Sequence, residues 1–316
     1  MSSLDEKQII KIFQSKFGNQ KFVSEDVETF RIGKNFAVIK TDTLVESTDV
    51  PPKMKLADVA RKSIVASVSD FAAKGAKPFY GIISISLPKN FSKSKLVQLA
   101  KGFRIASREF GFRILGGDTN QAKELVITVT LFGIASKITH RKGARPGDAI
   151  VVSGPFGLSA AGLKIILHGK NAKAKFKRHA KSAVFHPVPR LNFGIRSAGL
   201  LSSAMDSSDG LSTCLVEMAR QSRKKFVLHA IPGANGLEEF VKSNGLDPVD
   251  LVFNGGEEYE IVATVPSRNL GKLRKIAKAQ KINLIEIGRV QKGSGVFLQN
   301  QKNQTRISDG GWLHKF

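Results

Sequence analysis

The chain is poor in cysteine and has no long apolar stretch among its 316 residues. Its one cysteine, Cys214, excludes an intramolecular disulfide and is too few for a cysteine-based zinc site. No stretch reaches the roughly 18 apolar residues that a membrane helix needs, and the N-terminal residues lack the apolar core of a signal peptide. The apolar content of 41% suffices for a sizeable core. We therefore expect a soluble, cytoplasmic protein of two domains with no membrane partner.

Acidic residues are also scarce. The chain has 26 Asp and Glu against 50 Lys and Arg, which gives a formal charge of +24. Such an excess indicates either a polyanionic partner or a generally basic, solvated surface. The basic residues are spread along the chain apart from one acid-free block (164–182), and no nucleic-acid-binding motif is present. We favour the basic surface and keep a nucleic-acid-binding protein as an alternative of another class.

The common nucleotide-binding and metalloprotease motifs are absent. GLSAAGLK (157–164) resembles a phosphate-binding loop, but Leu163 stands where that motif has lysine. No G-x-G-x-x-G opens a helix after a strand, no H-E-x-x-H occurs, and the six histidines lack metal-ligand spacing. A nucleotide enzyme with this sequence would therefore hold phosphates through metal ions and backbone amides.

The periodicity of the apolar residues predicts a chain that mixes strands and helices. Two long helices are expected, one over 54–74 that ends at Gly75 and one over 96–110 that ends at Gly111. We expect GGDTN (116–120) to be a loop and the turn GARPGD (143–148) to separate two domains. The predicted strands are 36–41, 79–87, 112–115, 124–135, 148–154, 227–231, 259–265, 282–290 and 295–298.

The few acids stand at strand ends, in glycine-rich loops and on one helix. Each position has an ordinary explanation: Asp209 could cap the following helix, Asp118 could serve a turn, and Asp70 could be a solvated helix residue. Asp70, however, has mostly small residues beside it on its helix face, where another group can approach closely. Together the acids predict a magnesium site, because Mg²⁺ prefers carboxylate oxygens and shares phosphate oxygens with a substrate. These acids are Asp26, Asp42, Asp70, Asp118, Asp206, Asp209, Glu257 and Glu258.

Eight motifs align, in order, with one family. They cover the chain from about 24 to 316 and are highly specific as a set, although each is weak alone. The chain resembles the thiamine-monophosphate kinases. The motifs are TDTLVE (41–46), SVSDFAAKGAKP (67–78), GGDT (116–119), RKGARPGDAIVVSG (141–154), HPVPR (186–190), MDSSDGL (205–211), GGEEYE (255–260) and GGWLHKF (310–316).

The resemblance implies the fold of aminoimidazole-ribonucleotide synthetase, called PurM-like. It implies an α/β N-terminal domain (1–140) that binds ATP and Mg²⁺ and whose long strands pair across a homodimer. An α+β C-terminal domain (141–316) would bind the substrate. The implied activity is phosphorylation of thiamine monophosphate to thiamine diphosphate, with ATP as co-substrate and several Mg²⁺ ions. Another ATP-using member of this superfamily is the nearest alternative, but the chain lacks the reactive cysteine of the selenophosphate synthetases and of the hydrogenase-maturation relatives.

The resemblance also assigns roles to individual residues. Metal ligands would be Asp26, Thr41, Asp42, Asp70, Asp118, Asp206 and Asp209, and ATP contacts would be Gly117, Asp118, Arg141 and Ser208. Substrate contacts would be Asp49, Glu257 and Trp312, and direct catalytic roles fall to Asp206, Asp209 and Arg141.

Two positions depart from the family pattern. SEDVE (24–28) stands where the family usually has a Gly-Asp-Asp-Ala-Ala-like segment, which weakens the assignment of Asp26. Asp49 stands where the family often has a histidine. Three interpretations of Asp49 are open: contact with substrate through a metal or water, contact with the cationic end of the substrate, or a solvent-facing position on a loop stiffened by Pro51 and Pro52. For Trp312, stacking on the substrate and a terminal surface plug are both open.

Overall fold

The computed structural model describes residues 5–17, 23–300 and 303–313. The last three residues of the motif GGWLHKF lie outside this range. The first half contains β1 (Glu28–Ile32), β2 (Asn35–Val45), β3 (Lys77–Pro88), β4 (Arg113–Ala122) and β5 (Val126–Ala135). Its helices are α1 (Glu6–Lys16), α2 (Glu46–Asp49), α3 (Leu56–Lys74) and α4 (Lys93–Phe110).

The five strands form one sheet in the order β1-β2-β5-β3-β4. β3 and β4 are parallel, and α4 makes the long crossover that parallel neighbours require. Helices α3 and α4 end in the left-handed region at Gly75 and Gly111, as the sequence predicts. The prediction of a loop at 116–120 is wrong, because β4 runs through GGDTN and pairs with β3 along its whole length.

The second half contains a seven-stranded sheet in the order β12-β11-β8-β10-β6-β9-β7. Its strands are β6 (Ala149–Val152), β7 (Ser203–Asp206), β8 (Lys225–Leu228), β9 (Ile261–Val265), β10 (Ile285–Gln291), β11 (Gly295–Asn300) and β12 (Asn303–Ile307). Its helices are α5 (Leu158–His168), α6 (Ala174–Phe185), α7 (Leu191–Ser197), α8 (Leu211–Ser222), α9 (Leu237–Asn244), α10 (Pro248–Phe253) and α11 (Ser267–Ala279).

Helix α3 joins the two halves. Its apolar side chains belong to one hydrophobic cluster that includes residues of both sheets, such as Leu131 and Ile261. α7 approaches α3 closely because Gly194 has no side chain, and a Cβ there would overlap the Ala72 carbonyl. α3 also contacts β7, an edge strand of the second sheet, where the Lys74 ammonium donates to the Ala204 carbonyl oxygen. Among the described residues, no helix is both long and apolar enough to cross a membrane.

Candidate active site between the two sheets

Three buried carboxylates meet where the two halves join. Asp26 lies just before β1, Asp70 lies on α3, and Asp206 is the last residue of β7. One oxygen from each lies within 4.8 Å of the other two, and all three residues are at least nine-tenths buried. The structure therefore brings together three of the acids that the sequence assigns to a metal site, although they are far apart along the chain.

Asp42 adjoins this acidic cluster from β2. Its Oδ2 accepts a hydrogen bond of 2.8 Å from the Ser67 hydroxyl on α3. Lys40, two residues earlier and so on the same strand face, places its ammonium 3.2 Å from Asp42 Oδ1 and 2.9 Å from Asp70 Oδ2. Burial alone would lower the pKa of Lys40, but the charges of Asp70 and Asp42 raise it above its usual value.

Two further cations hold Asp26. The ammonium of Lys74 is fully buried and lies 2.9 Å from Asp26 Oδ2, 2.6 Å from Glu25 Oε2 and 3.1 Å from the Ala204 carbonyl oxygen. Arg141 donates from Nε to Asp26 Oδ1 at 2.6 Å. Burial would raise the pKa of Asp26, but Lys74 and Arg141 outweigh it and lower the pKa. The SEDVE segment therefore places Asp26 in the cluster despite its departure from the family pattern.

The other two carboxyls of the cluster lack enough positive charge. Burial and the nearby charge of Asp26 raise the pKa of Asp206 to about 7. Burial also raises the pKa of Asp70 well above its usual range, although Lys40 opposes the shift. Crowded, buried carboxylates with raised pKa values are stabilised by an added cation. The donor set consists of carboxylate oxygens alone, which fits Mg²⁺, and Asp26, Asp70 and Asp206 are the residues that could hold it.

Asp209 and Ser208 lie beside the predicted substrate residues. The backbone N–H of Glu257 donates to the Ser208 carbonyl at 2.6 Å, and that of Trp312 donates to the Asp209 carbonyl at 2.9 Å. Asp209 does not cap α8, because the N-cap residue is Gly210, whose φ of 126° requires glycine. Trp312 is 63% exposed at this surface. The structure therefore brings Glu257 and Trp312 together around Asp209.

Asp49 also approaches Glu257, through a lysine. The buried ammonium of Lys62 lies 2.7 Å from Glu257 Oε1 and donates to the Asp49 carbonyl oxygen at 2.8 Å. Asp49 is half-buried at the end of α2, and its carboxylate accepts the Val45 N–H at 2.7 Å. The solvent-facing loop position considered for Asp49 is therefore not what the structure has.

Thr41 and Asp118 lie on the other face of the first sheet. Asp118 is paired with Ser84 on β3, and the register continues through Thr128 to Thr43 on β2. Paired residues share a face, and Thr43 is one position from Asp42, so Asp118 and Asp42 face opposite ways. Thr41 is also exposed on the face of Asp118, where it accepts a hydrogen bond of 3.0 Å from the Thr130 hydroxyl. Within one chain, the structure does not bring either residue to the acidic cluster.

Gly117, the neighbouring predicted ATP contact, has a structural explanation in this chain. A Cβ at this position would overlap the carbonyl of Ile83 on β3. The close approach of β3 and β4 therefore requires glycine there.

The sequence-based predictions did not include three lysines at the site. For each lysine, its spacing from a predicted aspartate could have indicated a place at the site. Lys40 precedes Asp42 by two residues on a strand, and Lys74 follows Asp70 by four on a helix, so each pair shares a face. Lys62 precedes Asp70 by eight residues, which is just over two helical turns.

Two glutamates next to the site have partners within the protein. Glu258 accepts the backbone N–H groups of Gly157 at 2.7 Å and Ser159 at 3.0 Å, at the start of α5. Glu260 accepts from both the Arg190 guanidinium, with Nε at 2.7 Å, and the Ser153 hydroxyl. These carboxylates fix the segment 257–260 in place beside Ser207 and Ser208.

Comparison with known families agrees with this arrangement. Residues 24–135 match the model of the AIR synthase related protein N-terminal domain, and residues 145–300 match that of the C-terminal domain. The chain therefore belongs to the AIR synthase related proteins, which have two mixed α/β domains.

Sequence identity to individual relatives identifies the family within this class. The chain is 54% identical to the thiamine-monophosphate kinase of Nitrosopumilus maritimus over 314 residues, which covers 99% of each chain. It is 33% identical to that of Pyrococcus horikoshii, over 99% of this chain and 97% of the relative. Within its class, the chain belongs to the thiamine-monophosphate kinase family.

Solved structures give the same result. The chain superimposes on AaThiL complexed with AMPPCP and TMP with a TM-score of 0.86 and 26% identity, covering 98% of this chain and 97% of that one. A thiamine monophosphate kinase structure from Aquifex aeolicus matches with a TM-score of 0.82 and 26% identity, covering 93% and 97%.

Proposed function

We propose that this chain transfers the γ-phosphoryl group of ATP directly to thiamine monophosphate, giving thiamine diphosphate, with several Mg²⁺ ions assisting. The observation that carries the proposal is the buried cluster of Asp26, Asp70 and Asp206 between the two sheets. The family membership and the resemblance to a structure complexed with AMPPCP and TMP support the choice of substrates.

The acceptor explains why the site needs no general base. A phosphate monoester has a second pKa near 6, so its attacking oxygen is already anionic at neutral pH. The obstacle is repulsion between two polyanions. Bound Mg²⁺ would supply the neutralising charge and orient the phosphate oxygens. Asp26, Asp70 and Asp206 would hold the metal, with Asp42 and Asp209 beside them.

The remaining side chains would bind and orient the substrates. Arg141, whose guanidinium is held by Asp26 and the Ser24 hydroxyl, would add positive charge beside the phosphates, and Ser208 would donate to a phosphate oxygen. Glu257 and Trp312 would contact the thiamine ring system, where the cationic thiazolium suits an aromatic face and a carboxylate. Cys214 needs no catalytic role, because its thiol is buried and donates to the Asp206 carbonyl oxygen.

The direct test is an assay with ATP, Mg²⁺ and either thiamine monophosphate or free thiamine, with thiamine diphosphate measured by chromatography. We expect product from the monophosphate only. A second test uses ATP whose γ-phosphorus is made chiral with oxygen isotopes. Direct in-line transfer without a phosphoenzyme inverts the configuration at this phosphorus. Product from free thiamine, or retention of configuration, would contradict the proposal.

We also propose that the active form is a homodimer formed through the uncovered face of the first sheet. This face carries exposed apolar side chains, including Ile82 at 52%, Phe30 at 51% and Ile134 at 38% exposure. Such a patch on one side of a sheet is typical of a protein interface. It also carries Asp118, which could then reach an acidic cluster only from the neighbouring subunit.

Mixing two inactive variants tests this arrangement. If Asp118 acts across the dimer, co-refolding Asp118→Asn with Asp70→Asn chains leaves one intact site in each mixed dimer. Random pairing then restores about a quarter of the wild-type activity. No recovery, in a sample that native mass spectrometry with one variant isotope-labelled shows to contain mixed dimers, would mean that Asp118 does not act in this way.

A further inference from the structure

Lys40 places a fixed positive charge inside the acidic cluster. Its ammonium lies within 3.2 Å of oxygens from both Asp42 and Asp70. The other cations of the site are engaged elsewhere, Lys74 with Glu25 and Asp26, and Arg141 with Asp26. Lys40 is therefore the cation that contacts both Asp42 and Asp70.

The position of Lys40 is determined by the sheet. β2 is an interior strand, paired with β1 on one side and with β5 on the other, where Lys40 stands opposite Leu131. The side chain emerges beneath α3 and is 23% exposed. Because the strand and the helix are both fixed by packing, the ammonium is preorganised between its two carboxylates.

An ammonium and a divalent ion cannot share this position. Mg²⁺ requires ligand oxygens at about 2.1 Å in a near-octahedral arrangement. An ammonium in contact with both Asp42 and Asp70 takes the space between them and repels a dication there. Divalent ions can still bind on the side of Asp206, because Lys74 and Arg141 are held by Asp26, and Lys40 is held by Asp42 and Asp70.

On the basis of the proposed metal-dependent function, we propose that Lys40 is a resident cation that replaces one divalent ion. It holds Asp42 and Asp70 in place as a positioning residue and supplies a positive charge that does not depend on free Mg²⁺. The competing arrangement is one in which Lys40 moves away and a metal ion bridges Asp42 and Asp70.

The first test counts bound Mn²⁺, a paramagnetic substitute for Mg²⁺, by electron paramagnetic resonance. We expect Lys40→Met to bind about one more Mn²⁺ per subunit than the wild type, because two carboxylates lose their fixed counter-ion. Lys40→Arg keeps the charge and should bind the wild-type number. Lys34→Met, at the exposed turn between β1 and β2, is the matched control and should also bind that number.

The variants distinguish the inference from the function on which it rests. An unchanged or lower Mn²⁺ number in folded Lys40→Met would overturn the resident-cation role. Loss of Mn²⁺ binding in Asp206→Asn, with the wild type binding, supports the metal site whatever Lys40 does. A wild-type chain that binds no Mn²⁺ would overturn the metal site and this inference together.

A second test needs no variant, so it decides the matter even if Lys40→Met fails to fold. Crystals of the wild type with Mn²⁺, AMPPCP and thiamine monophosphate locate each ion by its anomalous signal. We expect the Lys40 ammonium to stay in contact with Asp42 and Asp70. An Mn²⁺ peak bridging those two carboxylates, with Lys40 displaced, would refute the inference.

Discussion

The acidic cluster and the segment 257–260 hold carboxylates in opposite ways. In the segment, each glutamate has its own donors: Lys62 for Glu257, two backbone amides for Glu258, and Arg190 with Ser153 for Glu260. In the cluster, Lys74 and Arg141 both contact Asp26, whereas burial and the nearby charge of Asp26 raise the pKa of Asp206 to about 7. The carboxylates of the segment are held by partners within the protein, whereas the acidic cluster gains stability from added positive charge.

The comparison predicts that removing a cluster charge abolishes activity without weakening the fold. Asp206→Asn should lower turnover by at least about a hundredfold, the range expected when a charge-stabilising group is lost. Its free energy of unfolding without Mg²⁺ should equal or exceed that of the wild type, because repulsion with Asp26 is removed. Steady-state kinetics and urea unfolding measure the two quantities. A variant with near-normal turnover at limiting Mg²⁺ would refute the metal-ligand assignment.

Breaking the ion pair between Arg190 and Glu260 should have the reverse effect, a loss of stability without a loss of metal binding. Arg190→Met leaves the buried carboxylate of Glu260 without its main partner, at a cost of about 2 kcal/mol in the free energy of unfolding. Mn²⁺ affinity should stay at the wild-type value, because Arg190 contacts no cluster residue in the part of the chain that the structure describes. Loss of Mn²⁺ affinity with unchanged stability would place Arg190 in the metal site instead.

Glu258 is the exception within the segment, and the pH dependence of stability tests how far burial disfavours its charged form. Burial raises the pKa of this carboxyl to about 8, although two backbone amides oppose the shift. Its folded-state pKa lies above its unfolded value, so the folded state binds the extra proton and stability falls as pH rises from about 4.5 to 8. Glu258→Gln removes this titration. Its stability relative to the wild type should therefore rise over that window, by about 1 kcal/mol because partial exposure screens the penalty. If the urea midpoints of Glu258→Gln and the wild type differ by the same amount at pH 5 and at pH 8, the raised pKa of Glu258 is refuted.

The smallest effect is expected at Cys214, directly behind the cluster. Its buried thiol donates to the Asp206 carbonyl at 3.0 Å and takes no part in the proposed chemistry. Cys214→Ala should leave turnover within a few-fold of the wild type, with a modest loss of stability from the small cavity. A large loss of turnover in a variant of normal stability would give the thiol a role that the proposed mechanism lacks.

The sequence predicts much of the fold because long amphipathic helices and buried strands follow simple periodicities. The ends of α3 and α4 are confirmed at Gly75 and Gly111. GGDTN was misjudged because paired glycines usually break structure, whereas here Gly117 permits close pairing of β3 with β4. Whether GGDTN forms a loop or a strand depends on the neighbouring strand β3, which the local sequence does not reveal.

The candidate site also has a part that the sequence indicates and a part that only the structure shows. Motif similarity points to Asp26, Asp70 and Asp206, which the structure brings together. It does not reveal that Thr41 and Asp118 face away from the cluster, because that depends on strand register across the whole sheet. The lysines that neutralise the carboxylates belong to no recognised motif, so only the assembled geometry shows their partners.

Helix α3 connects the two ends of the candidate site and fixes the distance between them. Lys62 touches the segment where the organic part of the substrate is proposed to bind, and Asp70 lies in the acidic cluster. Asp70 follows Lys62 by eight residues, a rise of about 12 Å along a rigid helix. The distance between the proposed ring-binding segment and the proposed site of phosphoryl transfer is therefore set by one helix. Under this proposal, an acceptor of a different length would present its phosphate at the wrong depth.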